Sequence, residues 1–204
     1  MLGIILGSLF PDLDNYAVAV ATVAKLNTHG LHRTFTHSIF TILPVFAICF
    51  IFARVRQEPR WTNFGIGFGV GIGLHLLLDL LVWFNGVAIL WPIPSWVNLW
   101  SGVTPLAWFN KLMLKAEFLF FALSFLGLEA LARKHDTDRD YLSKLRLWAW
   151  LQAGLFVVFT ILAYTLQKGF IIPYGAVYLF SVGLASGVTI RMRKTLEWNR
   201  FTAK

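Results

Sequence analysis

Apolar residues along this chain gather into runs of about 20, the helix length that the hydrocarbon core of a bilayer requires, with polar residues in short clusters between them. Five runs predict membrane-spanning helices: Phe35–Ala53, Phe64–Phe84, Leu112–Ala132, Leu145–Leu166 and Phe170–Ile190. Pro44 in the first run is expected to kink it, a break that neighbouring helices accommodate. The second run contains GIGFGVGIG, with glycine at every second position. In an apolar segment of this length small residues let helix backbones approach closely. A phosphate-cradling loop would instead need a strand before it and a helix N-terminus after it.

The remaining segments are too short or too interrupted to span. The opening MLGIILGSLF is apolar for ten residues before Pro11 and lacks the basic region and cleavage site of a signal peptide. It is expected to be a half-helix or, preferably, the end of a helix that begins upstream. Tyr16–Leu26 is rich in alanine and valine and breaks at Asn27–Gly30, which predicts a short interfacial or buried helix. Asn85–Asn110 holds four of the nine tryptophans and three prolines, a composition suited to an interfacial cap. The expected fold is all-α: a polytopic membrane helix bundle of about five spans, with a short N-terminal half-helix and interfacial segments. It is expected to form a single membrane domain over residues 1–204, with a motif-bearing half at 1–92, scaffold helices at 112–190 and a basic cytoplasmic tail at 191–204.

Composition agrees. The chain is 57% apolar with a mean hydropathy of +0.66, and 14% of its residues are charged, against about 25% in soluble domains. Its net charge of +8 would suit nucleic acid, but the basic residues flank the spans instead of lining one polar face, so a nucleic-acid partner is not expected. With the spans threaded alternately, one side receives Arg54, Arg56, Arg60, five basic residues of Arg133–Arg146 and five of Arg191–Lys204, thirteen in all. The other side receives only Lys25, Arg33, Lys111, Lys115 and Lys168. Because lysine and arginine resist translocation, the C-terminus is expected in the cytoplasm and the tryptophan-rich cap on the outer side. Cys49, the one cysteine, lies in an apolar run and is expected to pack as a small hydrophobe.

Three polar clusters break the apolar pattern: PDLD at Pro11–Asp14, HRTFTHS at His32–Ser38, and HLLLD at His75–Asp79. His75 and Asp79 are four apart, so a helix projects them from one face. Ionisable residues at membrane depth are costly unless paired or metal-bound, which makes both site candidates. Asp12 and Asp14 alternate around Leu13 and can face one centre, although Pro-Asp pairs are also ordinary turn and cap chemistry. His32 and His37 flank Thr34 and Thr36, which with Ser38 are expected to cap the first span. The predicted topology puts Asp12, Asp14, His32, His37, His75 and Asp79 on the same outer side. Such a mixed carboxylate and imidazole set suits zinc, manganese or iron better than calcium or a structural zinc, and six ligands suffice for one or two ions. Zinc or manganese is the expected cofactor.

GSLFPDLDN, HRTFTHS and GLHLLLDLLVWFNGVAILWP together resemble the YdjM family of LexA-binding, inner-membrane-associated, metal-dependent hydrolases. The family pattern is G-S-L-x-P-D-x-D, then H-R-x-x-T-H-S, then G-x-x-x-H-x-x-x-D followed by G-x-x-x-L-W-P, and the match covers about residues 3 to 92. The resemblance implies a metal site carried by Asp12, Asp14, His32, His37, His75 and Asp79, with Arg33, Thr36 and Ser38 near it. Family members have a longer helix before PDLD.

The function expected is therefore a membrane-embedded, metal-dependent hydrolase. In it the metal activates a water, Arg33 holds an anionic group of the substrate, and Asp14 or Asp79 acts as general base. At the outer headgroup level the natural partners are membrane lipid and a lipid or lipid-linked phosphoester substrate. The competing class is a non-catalytic metal-binding membrane protein, either a transporter or an envelope-complex component. A transporter would carry polar residues across the bilayer, whereas the last three spans hold few. Intramembrane zinc proteolysis lacks its HExxH motif, and LexA binding would need a cytoplasmic surface that the outer placement of the motifs does not provide. Cysteine-accessibility mapping tests the topology: a cysteine at position 33 should react with an impermeant reagent from the outer side, and labelling from the cytoplasmic side would overturn it.

Overall fold

The computed structural model describes residues 1–166 and 169–198. The predicted turn Gln167–Gly169, the topology residue Lys168 and the end of the basic tail (Asn199–Lys204) lie wholly or partly outside them. The architecture is all-α, and among the described residues the only β-type pairing is an isolated bridge between Val87 and Val97. The chain forms two compact units, Met1–Val103 and Thr104–Lys204. The first coincides closely with the motif-bearing half.

In the first unit the opening residues form α1 (Leu2–Leu9), followed by a 3-10 turn at Pro11–Leu13 and α2 (Asp14–Val23). The two helical stretches are bent by 41° and together are apolar enough for one broken span or a re-entrant loop. Two 3-10 turns at Phe35–His37 and Ile39–Thr41 lead into α3 (Ile42–Arg56), and α4 covers Arg60–Val82. The predicted first span therefore starts with tight turns, and Pro44 falls in the first turn of α3. There the backbone N–H that proline lacks has no intrahelical partner anyway, so no kink is required.

The alternating glycines of α4 form two interleaved i, i+4 faces. A Cβ on Gly71 would meet the Ile4 carbonyl oxygen at 2.1 Å, and one on Gly7 would meet that of Phe68 at 2.1 Å. Gly3 and Gly67 continue this backbone contact with α1. On the other face, a Cβ at Gly65 would meet the Cys49 Cβ at 2.7 Å and one at Gly69 the Ile42 Cγ2 at 2.8 Å, both on α3. Cys49 is thus a buried packing residue. The core of the unit is formed by Ile72, Leu76 and Val87 with Phe10, Ile42 and Phe68 packed against them, and Leu74, Leu78 and Leu81 on α4 are exposed.

The predicted cap segment, Asn85–Asn110, is turns and loop as far as Leu106. Trp96 and Trp100 donate their indole N–H groups to the carbonyls of Asn85 and Leu81 at the end of α4, and Asn98 donates to Phe84.

The second unit contains α5 (Ala107–Met113), α6 (Ala116–His135), α7 (Leu142–Thr165), α8 (Ile171–Arg191) and a final turn, α9 (Arg193–Leu196). α5 is a helix that the cap assignment did not foresee. Phe118 stacks on Phe159 with ring centroids 5.5 Å apart, and the buried Gln152 amide donates to Ser181 at 2.9 Å, joining α7 to α8.

By length and composition, four helical segments can cross a membrane: Ile39–Arg56, Arg60–Val82, Arg139–Thr165 and Ile171–Arg191. The bent N-terminal pair raises this to five if it counts as one span. The third predicted span, α6, is a full helix but carries Glu117, Glu129, Arg133 and Lys134, so it is not among these candidates. Four candidates, or five with the bent pair, compare with about five expected; membership differs at α6 and at the N-terminus, and the expected outer placement of the motifs holds with α6 as a span and reverses without it.

The glycine contacts generate a paired prediction. Gly71→Ala forces α1 from α4 and should cost about 1–3 kcal/mol, the usual range for overpacking. Gly73→Ala, which meets nothing within 4 Å, should be neutral or gain up to about 1 kcal/mol in helix propensity. Thermal unfolding of the two detergent-solubilised variants reads the difference.

Candidate metal centre

The first unit brings all six predicted ligands to one place. Asp12 and Asp14 come from the 3-10 turn and the start of α2, and His32 and His37 from the segment before α3. His75 and Asp79 come from the last two turns of α4. At 1.5 Å per residue, Asp79 lies about 5 Å and His75 about 10 Å along the axis from the end of α4 at Val82.

Each imidazole is fixed through Nδ1. The His75 Nδ1–H donates to the Ser8 carbonyl at 2.8 Å, the His32 Nδ1–H to Asp14 Oδ1 at 2.7 Å, and His37 Nδ1 lies 3.2 Å from Asp14 Oδ2. Thr36 donates its hydroxyl to the same Asp14 oxygen at 2.8 Å and lies 3.1 Å from His37 Nδ1. A neutral imidazole with hydrogen on Nδ1 presents a lone pair on Nε2. Metal-binding histidines are commonly oriented in this way by a carboxylate or carbonyl behind them.

The free atoms then converge. His37 Nε2 is 3.5 Å from Asp79 Oδ2 and 3.9 Å from Asp12 Oδ1, and His75 Nε2 is 3.7 Å and 3.8 Å from the same two oxygens. A tetrahedron with bonds of about 2.05 Å has edges of about 3.3 Å, so small inward shifts would close these four atoms on one ion. His37 Nε2, His75 Nε2 and Asp79 Oδ2 are buried without a hydrogen-bond partner. Buried polar atoms are rarely left so, and an ion among them would supply what they lack. His32 belongs to an overlapping group with Asp12 and His37. Because both groups use His37, they fit one centre with His32 at its edge more directly than two separate ions.

The other predicted residues take different places. Asp14 has both oxygens engaged by His32, His37, Thr36 and the Arg33 amide, the last at 3.3 Å, so it stands behind the imidazoles and away from the converging atoms. Ser38 is fully buried and donates to the carbonyls of Trp91 at 2.7 Å and Ile89 at 3.3 Å while accepting from the Phe40 amide. It caps the entry to α3 and ties down the tryptophan-rich loop. Arg33 adopts φ +62°, an uncommon conformation for a residue with a side chain, and its carbonyl accepts from Ala88. Its guanidinium donates to the Gly86 carbonyl at 3.0 Å and lies 3.7 Å from Asp79 Oδ1, leaving Oδ2 for the histidines. The backbone carbonyls of Ser8 and Gly86 are partners that residue types could not disclose.

Burial alone would lower the His32 pKa, but the hydrogen bond and charge of Asp14 outweigh it and hold the pKa above the usual histidine value.

A family model described as YdjM inner membrane protein matches residues 1–171, most of the chain and well beyond the three motifs. The chain belongs to the YdjM family. With its apolar helices, this makes it a multi-pass inner membrane protein. No curated protein and no solved structure matches it significantly.

If this YdjM-family site binds a divalent ion, His75→Ala and Asp79→Ala should each lose zinc or manganese from the purified protein, read by elemental analysis. Asp14→Asn should keep a loadable site with affinity about 10- to 100-fold weaker, as for other residues that orient ligands, and Ser38→Ala should bind as tightly as the parent. Affinity should also fall as pH drops, because the imidazoles must be unprotonated to bind metal. Unchanged metal content in both His75→Ala and Asp79→Ala would sink the assignment.

Proposed function

We propose that this protein is a membrane-embedded, metal-dependent hydrolase acting on a lipid or lipid-linked phosphoester at the outer face of the inner membrane. The observation that carries this reading is the convergence of three buried, unpartnered atoms, His37 Nε2, His75 Nε2 and Asp79 Oδ2, with Asp12 Oδ1 beside them. Asp12, His37, His75 and Asp79 would hold the ion, with His32 as a fifth candidate. When bound there, a divalent ion acidifies water and polarises an ester or phosphoryl oxygen.

The chain's own residues supply the rest. Asp14, Thr36 and the Ser8 carbonyl keep the imidazoles turned with Nε2 inward. Arg33 commits one N–H to Gly86 and leans on Asp79, which leaves other donors of its planar fork for a substrate anion. With Asp14 occupied and Asp79 shared between Arg33 and the ion, the general base falls to the second oxygen of Asp12, whose side chain at 22% exposure is the most open of the three carboxylates. The depth of His75 and Asp79, within about 10 Å of the end of α4, supports a substrate held at the boundary between headgroups and acyl chains. The outer-face assignment rests on the distribution of lysine and arginine with α6 threaded as a span.

The test is a hydrolysis screen of phospholipids and lipid-linked phosphates with metal-loaded protein in detergent or vesicles. Release of a phosphate or headgroup should depend on added zinc or manganese, stop with chelator, and be lost in Asp79→Ala together with the ion that activates water. Metal binding with no turnover on any ester would favour the non-catalytic class instead.

A further inference from the structure

Far along the chain from the metal cluster, the second unit holds another concentration of charge beside lipid-facing residues. Glu129 and Arg133 are four apart on α6, and Arg146 reaches them from α7. The buried Glu129 Oε1 accepts from Arg133 Nε at 3.0 Å, Arg133 Nη2 at 2.7 Å and Arg146 Nη2 at 2.8 Å. One carboxylate thus serves two guanidiniums. The trio keeps a positive charge, and most of the five N–H groups on each arginine are not used by Glu129. Both arginine side chains are more than half exposed.

These arginines border a cavity of about 430 Å³, completed by Leu142, Ser143, Leu147 and Trp150. Its polar side combines the guanidiniums with the Ser143 hydroxyl. Its other side is apolar and open: Leu147 is 54% and Trp150 71% exposed, one turn apart along α7. This part of α7 begins a candidate span, Arg139–Thr165, and carries Trp148 and Trp150, the residue type enriched at membrane interfaces.

We propose that this cleft binds the phosphate headgroup of an anionic phospholipid, with an acyl chain laid along Leu147 and Trp150. Free phosphate would use the arginines but not the apolar wall, whereas a lipid uses both. Basic pockets beside membrane helices are a recurring form of anionic-lipid recognition. Glu129 both braces the arginines and competes with the ligand for them.

The experiment is native mass spectrometry of the full chain, delipidated in detergent and offered equimolar phosphatidylglycerol and phosphatidylcholine. The parent should retain phosphatidylglycerol preferentially. Arg146→Gln should reduce that preference about fivefold, the scale of one basic residue at a membrane surface, and Trp150→Ala should weaken retention of both lipids. Lys144→Gln removes the same charge outside the cleft and should change the preference by less than about half as much. Glu129→Gln should increase the preference by freeing both guanidiniums, an effect that bracing alone would not produce, and it keeps the test informative if Arg146→Gln fails to fold. Equal losses in Arg146→Gln and Lys144→Gln would reduce the effect to general surface charge and overturn the site. Displacement of the bound lipid by millimolar inorganic phosphate would overturn the lipid assignment.

Discussion

The first unit depends on how closely two helices can approach. α1 and α4 meet backbone to backbone because Gly3, Gly7, Gly67 and Gly71 have no side chains to hold them apart. In a membrane, where lipid tails compete equally well for apolar side chains, van der Waals contact between small residues is a principal source of helix association. The same contact brings the Ser8 carbonyl to 2.8 Å from His75 Nδ1. Packing and chemistry therefore share one distance, and a methyl group in the seam would separate the histidine from the acceptor that fixes its tautomer.

Around that seam the polar residues form two layers. Asp14, Thr36, Arg33 and two backbone carbonyls occupy the outer layer and orient the others, with Arg33 keeping donors to spare. His37, His75, Asp79 and Asp12 form the inner layer, and three of them keep buried atoms without partners. Leaving such atoms bare at membrane depth is expensive. This supports a ligand-binding role, because the protein has partners for neighbouring polar groups such as Ser38 and Thr36. The tryptophan-rich loop contributes by its backbone, holding Arg33 through Ala88 and Gly86.

Much of this was legible in the residues. Apolar runs of membrane length located α3, α4, α7 and α8 to within a few residues at most ends, and the i, i+4 spacing of His75 and Asp79 put both on one face. The six candidate ligands were visible as polar residues where lipid-compatible ones were expected. What the residues did not disclose depended on backbone positions or distant partners. Asp14 and Asp12 are chemically alike, and only the arrival of His32 and His37 separates their places. Ser38 belongs to a histidine-rich motif, but its carbonyl partners lie more than fifty residues away. The alternating glycines indicated close packing without showing that it occurs on two faces. α6 looked like a span by its apolar length, and Glu129, Arg133 and Lys134 near its end are what separate it from the other helices.

The double set of glycine contacts has a mechanical consequence. α4 is gripped by α1 along one face and by α3 along another, so turning it about its axis would drive side chains into the backbone or into Ile42 and Cys49. A helix held in this way is a fixed post. The places of His75 and Asp79 are thereby set by the glycine seam, whereas His32, whose side chain is 34% exposed, is held by its bond to Asp14.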